Sequence, residues 1–199
     1  MKALDLFCGT KSFTKIAEKM GYKTTTLDIL ETFNPTICID IMEWDYKKYP
    51  TGSFDIIWAS PNCKDYSCLN FLNSKVKDLT PSNNLIIRVL EIIDYFKPNY
   101  WFLENPQTGK LKEQEFMKDL PYNDVDYCKY GFFHRKRTRI WNNTKWTGKL
   151  LCKKDNYCNN RIDGKHTNFR AIKNSNKGTR WENRISIPPD LILEILMEL

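Results

Sequence analysis

The sequence predicts an α/β fold in which a mostly parallel sheet is flanked by helices. Short apolar runs typical of buried strands alternate with stretches of helical periodicity over residues 1–142. Glycine and proline residues separate these stretches, as expected for turns. The chain has 199 residues, of which 41% are hydrophobic, so it can bury the core of one domain but is too short for two full-sized ones.

The N-terminal stretch predicts a strand, a helix and a second strand in succession. Lys2–Phe7 is the first strand, and an amphipathic helix follows over about Phe13–Met20. Gly21 stands where a helix C-cap is expected. Lys23–Leu27 then forms the second strand, which ends in Asp28, a residue able to accept hydrogen bonds from ribose hydroxyls.

Polar residues follow the next two predicted strands at the point where each one ends. Asp40 follows the short strand Thr36–Ile39, and Cys63 follows the apolar run Phe54–Ala59. Because the carboxyl ends of parallel strands meet at one edge of a sheet, these residues and Asp28 predict a site at that edge. Cys63 is a candidate nucleophile there, and an ordinary small buried residue is the alternative.

The second half of the predicted sheet contributes an acid to the same edge. A polar loop over Lys64–Pro81 is long enough to cover the site as a lid. A core-packed helix over Ser82–Phe96 leads to the strand Tyr100–Leu103, which Glu104 follows directly. A last apolar helix starts near Pro189 and is expected to return beside the first strand.

Composition favours an intracellular protein with a polyanionic partner. The net charge of +7 and pI near 9.0 favour nucleic acid, although a well-solvated lysine-rich surface is the alternative. The first residues run straight into a strand pattern without a signal segment, and no apolar run is long enough for a membrane helix. The cysteines number seven and are scattered, which fits reduced thiols in the cytoplasm or in the nucleus of an infected host cell.

Five short motifs resemble, in order, motifs I, IV, VI, VIII and X of the DNA cytosine-5 methyltransferases. They are Asp5–Gly9, Ser60–Ser67, Glu104–Pro106, Arg135–Arg139 and Ile185–Pro189. The resemblance is greatest to the small viral members, in which a strand similar to Asp126–Gly131 precedes the arginine motif. It implies a Rossmann-like fold that depends on S-adenosylmethionine.

The resemblance also implies a covalent mechanism on double-stranded DNA. The Cys63 thiolate would add to cytosine C6 of a base flipped out of the duplex, and C5 would then take the methyl group. Glu104 would face ring N3 and relieve the developing negative charge, a role that needs a dry pocket. Arg137 and Arg139 match the two arginines of motif VIII, one of which would contact the cytosine and brace the acid, with an ordinary phosphate-facing basic cluster as the alternative.

By the same resemblance, the cofactor is held at ten positions along the first half of the chain. These are Phe7, Cys8, Gly9, Thr10, Asp28, Ile29, Asp40, Ile41, Ser60 and Pro61.

Several residues depart from the family pattern. Lys11 replaces a second glycine, Asn62 replaces a proline, Pro106 replaces a valine and Arg135 replaces a glutamine. The asparagine of motif X is absent. Two alternatives therefore stay open: a homologue that binds DNA or cofactor without catalysis, and a cytosine-5 methyltransferase of RNA.

The composition changes over residues 143–183, which contain ten lysines and arginines interspersed with aromatic residues. Such a segment suits phosphate contacts and groove insertion, so we predict a small target-recognition insert there, with a disordered basic loop as the alternative. The catalytic core is then 1–142, residues 184–199 form a helix returning to it, and the protein is expected to be a monomer.

Three residues of the insert are potential zinc ligands: Cys152, Cys158 and His166. Their spacing is irregular and no fourth ligand is evident, although Cys128 or Asp155 could be recruited. The sequence therefore favours ordinary thiols and no metal. A cysteine hydrolase is disfavoured, since neither histidine of the chain stands in a convincing partner position for Cys63.

Overall fold

The computed structural model describes residues 1–67, 78–153, 158–162, 165–166 and 185–199. Within these residues, seven strands form one sheet and two more form a hairpin. The sheet strands are β1 (Lys2–Leu6), β2 (Lys23–Asp28), β3 (Ile37–Cys38), β4 (Ile56–Ala59), β5 (Tyr100–Pro106), β6 (Tyr122–Asp126) and β7 (Arg137–Asn142). The hairpin strands are β8 (Arg161–Ile162) and β9 (Lys165–His166), and the helices are α1 (Ser12–Lys19), α2 (Thr80–Phe96) and α3 (Pro189–Met197).

The strand order places a crevice at the carboxyl ends of β1 and β4. The sheet runs β3-β2-β1-β4-β5-β7-β6, and β1 to β5 are parallel. The chain builds outward from β1 to β3 and then restarts with β4 on the other side of β1. In open α/β sheets, ligands bind at the point where the strand order reverses in this way. β7 lies antiparallel between β5 and β6.

Local sequence explains where the helices begin and end. Phe13 and Ala17 lie one turn apart and are both buried, which fixes α1 on the sheet. α1 ends before Gly21, whose φ of +83° suits glycine. α2 has Pro81 in its first turn and ends at Lys97, which takes a left-handed conformation with φ 47°.

A hydrophobic core lies on each face of the sheet. On the α2 face, Phe96 packs against Trp44 and Phe54 in an aromatic cluster. On the other face, the Trp58 ring stacks between Phe13 at 5.1 Å and Phe102 at 5.5 Å. α3 packs on α1 and adds its apolar side chains to this second core.

The structure corrects the predicted strand over Asp126–Gly131. β6 ends at Asp126, and Tyr127–Tyr130 form a 3₁₀ turn that Gly131 closes with φ +89°. Tyr127 and Cys128 are both buried, whereas neighbouring residues of a strand point to opposite faces. The turn carries both Tyr127 and Cys128 into the interior.

The structure describes only parts of the predicted insert and of the predicted lid loop. Trp146, at the start of the predicted insert, is buried in the α3 core, and its indole N–H donates to Glu194 Oε1 at 3.3 Å. The start of the predicted insert therefore packs on the α3 core. Residues 68–77 of the predicted lid loop, and most of 154–184, lie outside the described residues. None of the helices that the structure describes is long and apolar enough to span a bilayer.

Candidate active site

A cavity of about 290 Å³ opens at the carboxyl edge of β1, β4 and β5. Most of the residues predicted for the site line it: Phe7, Cys8, Gly9, Thr10, Asp28, Ile29, Ser60, Pro61, Cys63 and Glu104. Two predicted cofactor residues, Asp40 and Ile41, are not among the residues that line it. Ile41 is buried in the α2 core, and Asp40 Oδ1 accepts from the Met42 N–H at 2.9 Å, which starts a short helical turn.

The loop between β1 and α1 uses left-handed backbone at three positions. Phe7 and Lys11 have φ of 58° and Gly9 has φ of 46°. The family's second glycine is expected where Lys11 stands, and a left-handed residue explains that preference, because a side chain there costs about 1–2 kcal/mol. The Lys11 ammonium donates to the Asn34 carbonyl at 2.5 Å, so the loop keeps its left-handed turn without the glycine.

Asp28 joins the two loops that form the cofactor end of the cavity. Its Oδ2 accepts from the Gly9 N–H and its Oδ1 from the Leu30 N–H, both at 2.9 Å. A carboxylate oxygen can accept more than one hydrogen bond, so Asp28 can also accept from ligand hydroxyls. Ile29 and Leu30 follow it as exposed apolar side chains at the cavity wall.

Two asparagines fix the loop that carries Cys63. Asn62 Oδ1 accepts from the Lys64 N–H at 2.9 Å, which closes an Asx turn around the cysteine. The fully buried Asn105 donates from Nδ2 to the Pro61 carbonyl at 3.1 Å. The Asx turn therefore supplies a constraint where the family has proline. Cys63 is half-buried, lines the cavity and forms no disulfide.

Glu104 is buried beside two donors. The Tyr127 hydroxyl donates to its Oε1 at 2.9 Å, and Lys136 Nζ lies 3.4 Å from the same oxygen. Burial, followed by the negative charge of Glu104 and a smaller effect of Cys63, holds the pKa of Tyr127 well above its usual value. Tyr127 therefore stays a neutral donor to Glu104. Lys136 also lines the cavity, with Nζ 4.9 Å from the Tyr127 ring centroid.

Arg137 and Arg139 do not reach Glu104, contrary to the sequence-based expectation. Arg137 makes two hydrogen bonds to Asp126, at 3.1 and 2.8 Å. Arg139 makes two to Asp124, at 2.8 and 3.0 Å.

Strand register explains this correction. Residues directly opposite each other in a sheet point to the same face, and Glu104 is opposite Ile140. The even-numbered residues of β7 therefore share the face of Glu104, and Lys136, just before the strand, continues their alternation. Arg137 and Arg139 point to the other face, directly opposite their aspartates.

Three further residues of the candidate site were not identified from the sequence: Asn105, Tyr127 and Lys136. Asn105 belongs to a recognised motif, yet its contact with the Cys63 loop depends on how β5 and that loop meet. Tyr127 was assigned to a strand that does not exist. Lys136 lies in a recognised motif, but only the register of β7 against β5 shows that it shares the face of Glu104.

Asp5 is a buried acid at the cofactor end of the cavity. Burial raises its pKa to about 7, and the hydrogen bond from Thr14 Oγ1, at 2.6 Å, opposes that shift. Burial also raises the pKa of Cys8 to about 12, so this thiol stays protonated at neutral pH.

Fold and site together define an α/β methyltransferase, with the sheet order and the strand-end cavity described above. A sequence profile of the C-5 cytosine-specific DNA methylases matches residues 1–134. The chain belongs to this family, and it is a DNA cytosine-5 methyltransferase. In this family, catalysis proceeds through a covalent cysteine adduct.

The chain is similar over nearly its whole length to a viral relative. It is 34% identical over 217 residues to the "Probable DNA (cytosine-5)-methyltransferase" of frog virus 3 (isolate Goorha), covering 98% of this chain and 99% of that protein. It is 30% identical over 134 residues to the type II methyltransferase M2.ScrFI of Lactococcus lactis subsp. cremoris, covering 65% of this chain but 36% of that protein.

A solved methyltransferase structure shares the fold. The Entamoeba histolytica methyltransferase EhMeth superposes with a TM-score of 0.56 at 16% sequence identity, covering 79% of this chain and 55% of that one. At this identity the likeness concerns the fold alone.

Replacement of Asp5 by asparagine should change how stability depends on pH. The folded pKa of about 7 lies above the unfolded value of about 3.9, so wild-type stability falls as pH rises from about 4 to about 7. Asp5→Asn carries no titrating group there. Its unfolding free energy relative to wild type should rise by on the order of 4 kcal/mol across that range and stay level above it.

Denaturant unfolding at several pH values measures this difference. The exposed Asp45→Asn serves as the control and should show no such rise, because solvent screens its charge. If the difference in unfolding free energy between Asp5→Asn and wild type does not change with pH, the pKa of Asp5 is not raised in the folded protein.

Replacement of Arg137 by methionine should mainly reduce stability. Asp126 has no exposed surface, so loss of its guanidinium partner leaves a buried carboxylate and costs about 3 kcal/mol. Arg139→Met should cost less, because Asp124 is partly exposed. Urea unfolding of both variants gives the comparison, and equal losses would show that burial of the acid does not set the cost.

Proposed function

We propose that this chain transfers the methyl group of S-adenosylmethionine to C5 of cytosine in double-stranded DNA, with Cys63 as the nucleophile. The observation that carries the proposal is the shared cavity. Cys63 and Glu104 line the same space as the Gly9 and Asp28 loops, so a cofactor and a flipped base could meet there.

The residues at the cofactor end suit S-adenosylmethionine. Asp28 offers carboxylate oxygens to ribose hydroxyls, and the exposed side chains of Ile29 and Leu30 offer apolar surface to an adenine ring. Phe33 lines the same end of the cavity. When bound, S-adenosylmethionine supplies an electrophilic methyl group on sulfur.

Cys63 performs the covalent step. Its thiolate adds to cytosine C6, and the ring electrons move so that C5 becomes nucleophilic while negative charge develops toward N3. C5 would then accept the methyl group that bound S-adenosylmethionine would supply. Loss of the C5 proton to a base then expels the Cys63 thiolate and restores the aromatic ring.

Glu104, Tyr127 and Lys136 stabilise the charge that develops on the ring. Protonated Glu104 would face ring N3 and donate its proton there as negative charge develops, and the Lys136 ammonium, 3.4 Å from Glu104 Oε1, would stabilise the carboxylate that results. Tyr127 positions Glu104 through its hydroxyl. Arg137 and Arg139 act on the far face of the sheet, where they hold β6 to β7.

DNA is favoured over RNA by the family to which the chain belongs. The net charge of +7 supports binding to the phosphate backbone, and we assign target recognition to residues 143–183. The target atoms are hidden in a duplex, so the base is flipped out. We propose that the protein acts as a monomer inside the cell.

Loss of the Cys63 sulfur should abolish the reaction. Duplex DNA of mixed sequence is incubated with S-adenosylmethionine and protein, and nucleoside mass spectrometry measures 5-methylcytosine. The wild type should form it, and Cys63→Ala should not, because no thiolate can activate C5. The exposed Cys38→Ala serves as the control and should retain activity.

Two further substrates separate the remaining alternatives. DNA containing 5-fluorocytosine should trap the wild type, but not Cys63→Ala, as a covalent adduct. Methylation of RNA but not DNA would establish the RNA alternative, and cofactor binding without any methylation would establish a non-catalytic homologue.

Replacement of Lys136 by methionine should lower kcat by about 100-fold, because a positive charge next to Glu104 is lost from the transition state. The control is Lys118→Met, which removes an exposed lysine paired with Glu115. Steady-state kinetics with duplex DNA and an independent DNA-binding measurement distinguish catalysis from binding. An unchanged kcat for Lys136→Met would remove Lys136 from the mechanism.

A further inference from the structure

Four potential metal ligands converge away from the catalytic cavity. The Sγ atoms of Cys128, Cys152 and Cys158 and a ring nitrogen of His166 all lie within 4.8 Å of one another. The three cysteines are buried and the histidine is half-buried. None of the four lines the catalytic cavity.

We propose that these four residues bind a structural zinc ion that fastens the segment after β7 to the catalytic core. Three thiolates and one imidazole form a common tetrahedral zinc ligand set. With zinc–sulfur bonds of about 2.3 Å, ligand atoms of such a site lie about 3.8 Å apart. The Cys152 Sγ to His166 Nε2 distance is 3.2 Å, so a small adjustment of the side chains would admit the ion.

The histidine is oriented as a zinc ligand would be. His166 Nδ1 lies 3.1 Å from the Asn160 carbonyl, a pairing that requires the proton on Nδ1. The Nε2 lone pair is then directed toward the Cys152 sulfur. Metal-binding histidines usually donate their other ring nitrogen to a carbonyl or carboxylate in this way. The Asn160 side chain also donates to the Cys128 carbonyl at 2.7 Å and so connects two of the ligands.

Arg161 supplies the charge balance that this ligand set needs. Three thiolates and Zn²⁺ together carry a net charge of −1. The Arg161 guanidinium lies 3.0 Å from the Cys152 Sγ. It also reaches His166 Nε2 at 3.4 Å, a contact that the ion would replace.

Other uses of the cluster fit less well. A disulfide would consume two sulfurs and leave a third thiol buried beside the histidine, and none of the cysteines that the structure describes is disulfide-bonded. Iron–sulfur clusters are usually held by four cysteines. Zinc uses all four ligands.

The cluster connects parts of the chain that are distant in sequence. Cys128 lies in the turn after β6, whereas His166 ends the β8–β9 hairpin. The Cys152 N–H donates to Asp126 Oδ2 at 2.8 Å, which brings the second ligand against the core. A segment this small gains little stability from its own core, and a metal ion commonly replaces that core.

Metal content tests the proposal independently of methylation. Protein purified under reducing conditions should contain one zinc per chain by elemental mass spectrometry. After metal removal, Co²⁺ should bind and give the strong visible absorption of a tetrahedral thiolate site. Cys158→Ser and His166→Asn should each weaken Co²⁺ binding by more than about tenfold, since even outer partners of zinc ligands contribute that much.

Cys38→Ser serves as the matched control, because Cys38 is exposed and outside the cluster, and it should bind metal as the wild type does. Circular dichroism measures whether each variant is folded. If a variant is unfolded, the Co²⁺ spectrum of the wild type decides whether the four residues bind metal. A wild type without zinc and without a thiolate Co²⁺ spectrum would overturn the proposal. So would a disulfide between two of these cysteines, found by alkylation and mass spectrometry in the protein as purified.

Discussion

The antiparallel pairing of β7 with β5 and β6 is the constraint on which the active site depends. It places Ile140 opposite Glu104 and Arg137 opposite Asp126. Because side chains alternate along a strand, this register directs the side chains of the Arg135–Arg139 motif to the two opposite faces of the sheet. Lys136 faces Glu104, the proposed catalytic acid, and the arginines form ion pairs on the other face. A shift of one residue would exchange these roles.

Asp126 links the paired strands β6 and β7 to the segment that follows β7. Its carboxylate accepts two hydrogen bonds from Arg137 and one from the Cys152 N–H, so a fully buried charge is compensated from two directions. It therefore connects the strand that follows Lys136 with the cysteine cluster. The turn that begins with Tyr127 supplies both Tyr127, which donates to Glu104, and Cys128, the core ligand of the cluster. One turn thus serves the catalytic acid and the proposed zinc site.

The departures from the family pattern are accommodated by local hydrogen bonds. The Asx turn of Asn62 constrains the Cys63 loop where a proline is usual, and Asn105 holds that loop from the next strand. Lys11 adopts the left-handed conformation expected of glycine and anchors its side chain to Asn34. Both loops therefore have defined conformations, which favours a catalytic protein over a degenerate one. These contacts also explain why the sequence alone left the alternative open, since side-chain replacements for a missing glycine or proline are visible only after folding.

The sequence by itself determined the α/β class, the order of the five parallel strands and of the three helices, and the collection of Cys63, Glu104 and Asp28 at one edge. These features depend on periodicity and on short motifs, which are local properties of the chain. The tertiary structure alone decided which side chains meet. The faces of Arg137 and Arg139 depend on strand register, and Ile41 became a core residue through packing with α2. The fourth proposed zinc ligand, Cys128, comes from a turn 24 residues before Cys152. Register and long-range packing are set by cooperation among distant segments, so no local pattern encodes them.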